Sequence, residues 1–312
     1  MGRILVTGAA GFIGTEVVAA LATRGDEVTA LDLGLSPRLA GLVDRHGVAF
    51  VPCEINEWPL LTRAFEQARP EAVVHCAAVV GVVNSAAAPL ATLRVNVEGM
   101  LGLLEAMRLF GVRRMVNLSS EEIYGPFEAQ RITEDHPCRP VWPYGISKFA
   151  AEQLARDHAR MHGAEIVHVR TCWVYGPDLP RPRVPKTLVD AAMEGRALHM
   201  PQGGDFRVDH TYIADAVQGI LLCLDKPSHR FDAYHIASGA APSIAEIAAL
   251  LREMVPGAQI SAGPGEYIFA PGLPPVRKGA LDITRARQEL GYVSRHDIRA
   301  GLAATIAARR AA

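Results

Sequence analysis

The chain has 312 residues, of which 49% are hydrophobic and 21% charged, and its formal net charge is −1. These values describe a globular chain long enough for about two domains, and they exclude nucleic-acid or membrane-surface binding driven by bulk electrostatics. The five cysteines (Cys53, Cys76, Cys138, Cys172 and Cys223) form no C-x-x-C pair, so a reduced, cytoplasmic chain without a disulfide framework is expected.

The first element in chain order is a strand, RILVTG (Arg3–Gly8), followed by a helix from Phe12 with Ile13, Val17 and Leu21 on one face and Gly25 as its stop. The glycines at 8, 11 and 14 break the apolar start of the chain, which argues against an export signal. EVTALD (Glu27–Asp32) and VAFVPCEI (Val48–Ile55) read as the next strands, with a helix over Trp58–Ala68. AVVHCAA, a long helix over Leu90–Phe110, RMVNLSS (Arg114–Ser120), a helix from Tyr144 and AEIVHVR (Ala164–Arg170) complete the alternation. Continuous apolar strands between helices predict an α/β fold, a doubly wound parallel sheet of Rossmann type. After Arg170 the prolines at 177, 180, 182 and 185 end the regular pattern. The spacing predicts a nucleotide-binding domain over 1–170, a smaller substrate-binding lobe over 171–312, and a segment at 212–239 that returns to the first domain. No run reaches the roughly 18 apolar residues that span a bilayer.

TGAAGFIG opens the first helix directly after the first strand. Gly8 permits a tight turn, Gly11 a close approach of backbone to a pyrophosphate, and Gly14 close packing of helix on strand. Asp32 ends the second strand 18 residues beyond Gly14. A carboxylate there accepts from ribose hydroxyls and repels a 2′-phosphate, favouring NAD over NADP, although Arg38 nearby keeps NADP in play. Tyr144 and Lys148 lie one helical turn apart on one face, and a lysine ammonium and a nicotinium charge nearby are together expected to lower the phenol pKa toward that of a usable base. His158 and His162 share a helix face without a third ligand, so no metal site is expected.

In combination and order, TGAAGFIG, Asp32, His75–Ala78, NVEG (Asn96–Gly99), SSEEIYG and YGISK resemble the extended short-chain dehydrogenase/reductase family, in its NAD-dependent epimerase/dehydratase group acting on nucleotide sugars. The resemblance implies that Gly8, Gly11, Phe12, Ile13, Gly14, Asp32, Glu54, Ile55, Cys76, Ala77, Asn96, Tyr144, Lys148 and Cys172 hold the cofactor. It implies Tyr144 as catalytic base, Lys148 on the nicotinamide ribose and Ser120 on the reacting oxygen. Arg207 and Arg277 are implied as phosphate ligands. A homodimer built on two long helices per subunit is implied as well.

Glu121 and Glu122 make this loop more acidic than in a plain 4-epimerase and similar to that of nucleotide-sugar 4,6-dehydratases, where one acid protonates a departing oxygen and another abstracts a proton. Trp173 stands where the family pattern has a substrate-binding asparagine, removing an amide and adding bulk. Epimerisation at C4 is the first expectation. Dehydration through Glu121 and Glu122, or net oxidation of a free sugar acid, are the alternatives.

Overall fold

The computed structural model describes residues 2–311. Seven strands form one sheet: β1 (Arg3–Thr7), β2 (Glu27–Asp32), β3 (Ala49–Pro52), β4 (Ala72–His75), β5 (Arg114–Ser120), β6 (Glu165–Thr171) and β7 (Ala233–Ile236). All pairs are parallel, in the order β7-β6-β5-β4-β1-β2-β3. This is the expected doubly wound sheet. The strand order reverses between β1 and β4, which opens a crevice at their carboxyl ends.

Both faces of the sheet are covered, which explains strands that are apolar throughout. The helices Phe12–Thr23 and Ile213–Asp225 bury Val17, Leu21 and Ile220 on one face. The helices Trp58–Ala68, Gly99–Phe110 and Pro143–His162 bury Leu61, Phe65, Leu103 and Ala155 on the other. Each fully buried leucine or phenylalanine contributes about 1.5–3 kcal/mol. A separate core, containing Trp173, Leu188, Phe206, Ile244 and Leu302, is built mainly from the segments after β6, with Ile123, Tyr124, Phe127 and Ile132 from the segment between β5 and β6 packed into it. No helix among the described residues is long and apolar enough to cross a membrane.

Three elements depart from expectation, among them the strand read as AVVHCAA, which ends at His75. The helix read as Leu90–Phe110 is divided into Pro89–Leu93, a wider turn at Arg94–Glu98 and Gly99–Phe110. The wide turn directs the Asn96 side chain inward, where it binds the backbone of Val79. The third strand stops at Pro52, not Ile55, because its partner β2 ends at Asp32, whose carbonyl accepts the last ladder bond from the Cys53 N–H.

Candidate active site

A cavity of about 820 Å³ opens at the carboxyl ends of the strands. Its floor is the loop after β1. Gly8 has φ +66°, and a Cβ there would lie 2.5 Å from the Ala77 nitrogen. A Cβ on Gly14 would collide with the Gly8 carbonyl oxygen, so this helix could not close on the loop with any larger residue. Gly11 caps the helix Phe12–Thr23 without a side-chain hydrogen bond, leaving its N-terminal N–H groups toward the cavity. Asp32 accepts from the Ala10 nitrogen at 2.8 Å and the Leu33 nitrogen at 2.7 Å, which fixes its carboxylate at the cavity edge. Arg38 is engaged by Glu16 and Asp178. It is therefore committed to carboxylates rather than open to a 2′-phosphate.

Phe12, Ile13, Glu54, Ile55, Cys76, Ala77 and Cys172 line the same cavity. Asn96 does not. Its side-chain oxygen accepts from the Val79 nitrogen at 2.8 Å, and its amide donates to the Val79 carbonyl at 3.1 Å and to Ser147 Oγ at 2.9 Å. It braces the cavity wall against the helix Pro143–His162.

Tyr144 and Lys148 open that helix and face the cavity beside Ser120, the last residue of β5. Burial pushes the Tyr144 phenol up to about 12, while the charge of Arg181 and a hydrogen bond with Ser120 pull the other way. This reverses the lowering expected from Lys148. Burial also brings the Lys148 ammonium down to about 8, against the influence of Cys76 and Glu152. Burial is thus the largest influence on both residues.

Glu121 and Glu122 follow Ser120 directly and line the cavity while remaining almost fully buried. Both end on one cation: Lys278 Nζ lies 2.7 Å from Glu121 Oε2 and 2.8 Å from Glu122 Oε2. Burial opposes this ammonium, but the paired carboxylates hold its pKa well above the usual lysine value. Burial and Glu122 raise the Glu121 carboxyl, partly offset by Lys278.

Sequence reading did not identify Lys278; it selected its neighbour, Arg277. In the structure Arg277 is exposed, whereas Val276 and Lys278 point inward. Arg207 behaves in the same way. Phe206 and Val208 are buried, and Arg207 sits outside the cavity in a bidentate pair with Glu246 at 2.6 and 3.1 Å. In an extended segment a shift of one residue exchanges the two faces, and this misplaced both arginines.

The far wall is aromatic. Trp173 is buried, with Phe206, Tyr267 and Phe269 at ring distances of 5.6, 5.9 and 6.0 Å. The Arg183 guanidinium lies 3.9 Å over the Trp173 ring. Arg181 also reaches the cavity, donating to the Val80 carbonyl at 3.0 Å. Neither arginine was singled out in the sequence. The available signal was their placement at alternate positions between prolines in PRPRVP.

A cradle closed to any Cβ, an uncapped helix start and a carboxylate at the end of β2 fit a dinucleotide. The NAD dependent epimerase/dehydratase family model matches residues 4–237 of the chain. The chain belongs to this family. A UDP-glucose 4-epimerase of Mycolicibacterium smegmatis is 30% identical, with 97% of each chain covered. A dTDP-glucose 4,6-dehydratase of Streptomyces griseus is 33% identical, covering 98% of this chain and 93% of that one. The structure of a Thermotoga maritima UDP-glucose 4-epimerase with UDP-glucose superposes with a TM-score of 0.89 at 29% identity, covering 99% and 98%. The family thus includes relatives of both reaction types at similar distance from this chain.

Proposed function

We propose that the protein is an NAD-dependent epimerase that inverts C4 of a nucleotide sugar. NAD, held by the glycine loop and Asp32, would supply the site with a hydride acceptor that returns what it takes. Tyr144 takes the proton of the C4 hydroxyl, and Ser120 holds that oxygen by a hydrogen bond. Lys148, buried one turn from Tyr144, supplies the positive charge that favours phenolate once substrate and cofactor fill the cavity. The resulting keto sugar turns over in the pocket and accepts hydride on its other face. No further proton transfer from carbon is required.

The observation that carries this reading over dehydration is the Lys278 clamp. A dehydratase needs one carboxyl able to donate a proton and one carboxylate able to remove one from C5. Here a single buried ammonium ties both acids through one oxygen each, and for Glu121 this cation works against the protonated form that would have to donate. The acidic Glu121-Glu122 pair itself and the raised Glu121 carboxyl are the features favouring dehydration.

Incubation with UDP-glucose or dTDP-glucose in deuterium oxide separates the two. Epimerisation is expected to give the C4 epimer without deuterium on carbon and without net accumulation of reduced cofactor. Deuterium at C5 with loss of the C6 oxygen would establish the dehydratase instead. Stoichiometric reduced cofactor would establish the net dehydrogenase.

A further inference from the structure

We propose that Arg181 and Arg183, with Trp173 as a shelf, form an oxyanion-binding site that takes an anionic group of the substrate beside the reacting carbon. This rests on reading the cavity as the sugar pocket. Glu121 and Glu122, at this end of the cavity, share Lys278 as their contact partner. Arg183, by contrast, has no hydrogen-bond acceptor and no ion-pair partner among the described residues, although its guanidinium faces the enclosed cavity. Among the described residues Arg181 donates only to the Val80 carbonyl, which leaves most of its N–H groups available.

Two guanidinium groups at one wall repel each other, and a protein gains nothing from holding an unpaired, half-buried charge. Such an arrangement becomes favourable when an anion arrives between them. The geometry is prepared for this. The Arg183 guanidinium carbon is held 3.9 Å over the Trp173 ring, and its N–H groups, unbonded among the described residues, are available for a bidentate contact. Gly81, at φ +103°, clears the approach of Arg181, since a Cβ there would lie 2.8 Å from Arg181 Nη1. The position is near the chemistry, because Arg181 acts electrostatically on the Tyr144 phenol and Arg183 on Glu121. Trp173 therefore replaces an amide contact with a platform for a cation. The chemistry fits either a carboxylate on the sugar or the diphosphate of its handle.

The test is calorimetric titration of the NAD-loaded protein with UDP, UDP-glucose, UDP-glucuronate and free glucuronate. It compares wild type with Arg183→Met and Arg181→Met, and NAD content serves as the check that each variant is folded. Arg183→Lys, which keeps the charge and loses the fork, gives a second reading if the methionine variant does not hold NAD. Loss of about 10- to 100-fold in affinity is expected for ligands whose anion reaches the pair. A loss confined to UDP-glucuronate and glucuronate assigns the sugar carboxylate. An equal loss for all three UDP ligands assigns the diphosphate. Affinities unchanged by every variant, or no wild-type binding of any of the four, overturn the proposal. Arg183-dependent binding of glucuronate with none of UDP or its sugars retains the anion site and sinks the nucleotide-sugar reading instead.

Discussion

The ammonium of Lys278 lies 2.7 Å from a carboxylate oxygen of Glu121, with the two side chains 0% and 2% exposed. The residues are far apart in sequence, so this contact draws a C-terminal segment onto the loop after β5. It also leaves one cation facing two carboxylates. Replacing it by Lys278→Met would strand two buried carboxylates, at a cost of about 3–5 kcal/mol. Urea unfolding at pH 7 checks this, and Glu121→Gln with Glu122→Gln in the same chain is expected to recover most of the loss. The deficit has a sign in pH. A carboxyl raised in the folded state keeps a proton that the unfolded chain has released, so the variant loses further stability as pH rises through that interval. Equal deficits at pH 5 and pH 8 would sink this account.

Tyr144→Phe tests the proton transfer. The phenol contributes one hydroxyl at the cavity wall and nothing to the glycine cradle. The variant is expected to keep its NAD and to lose at least about 100-fold in turnover, the usual span of a general acid–base group. Turnover within a few fold of wild type would remove Tyr144 from the mechanism.

Gly14→Ala tests the cradle. One methyl group would meet the Gly8 carbonyl oxygen, which is backbone and cannot swing aside. The helix Phe12–Thr23 must then lift from the loop, and NAD retention is expected to fall at least tenfold, read as cofactor released on denaturing the purified protein. Unchanged cofactor content would show that the dinucleotide lies elsewhere.

Coenzyme choice follows from two carboxylate arrangements. Asp32 is pinned by the Ala10 and Leu33 nitrogens, and Arg38 is occupied by Glu16 and Asp178. With an acid where a 2′-phosphate would sit and no free arginine to compensate, NADP is expected to bind at least about tenfold more weakly than NAD. Comparable affinities by fluorescence titration of the reduced coenzymes would contradict the role given to Asp32.

Much of this architecture is legible from local pattern. Glu27–Asp32, Trp58–Ala68 and Arg114–Ser120 end where periodicity and breakers place them, because burial on two faces dictates their composition. The residues around Gly8, Asp32, Ser120, Tyr144 and Lys148 converge because each stands at a strand end or first helical turn. What escaped was set by distant partners. Whether Arg277 or Lys278 points inward depends on the pairing of Ala280–Leu281 with Arg131–Ile132. Nothing in PRPRVP specifies which proline-flanked arginine meets Trp173. The burial that raises the Tyr144 phenol is a tertiary property that the helix pattern does not carry.

The same helix carries a buried ion pair that links catalytic geometry to acid stability. Glu152, one turn beyond Lys148, meets Arg170 at 2.8 and 3.1 Å and accepts from Ser119 Oγ at 2.5 Å. It thus joins the helix of Tyr144 to the end of β5, where Ser120 follows. Burial alone would raise this carboxyl, but His168, Arg170 and Arg156 outweigh it and hold it at about 2, below the ordinary 4.5. A depressed carboxyl gives stability that is present above its unfolded pKa and lost as pH falls through the folded one. Between pH 5 and pH 2 the protein is therefore expected to lose on the order of 3 kcal/mol through this group alone. Glu152→Gln should be less stable at pH 7, since Arg170 is left buried without its counter-charge, and should show a shallower decline across the same interval. Urea midpoints at pH 7, 5 and 3 measure both, and parallel acid limbs for the two proteins would show that the pair is not what acid breaks.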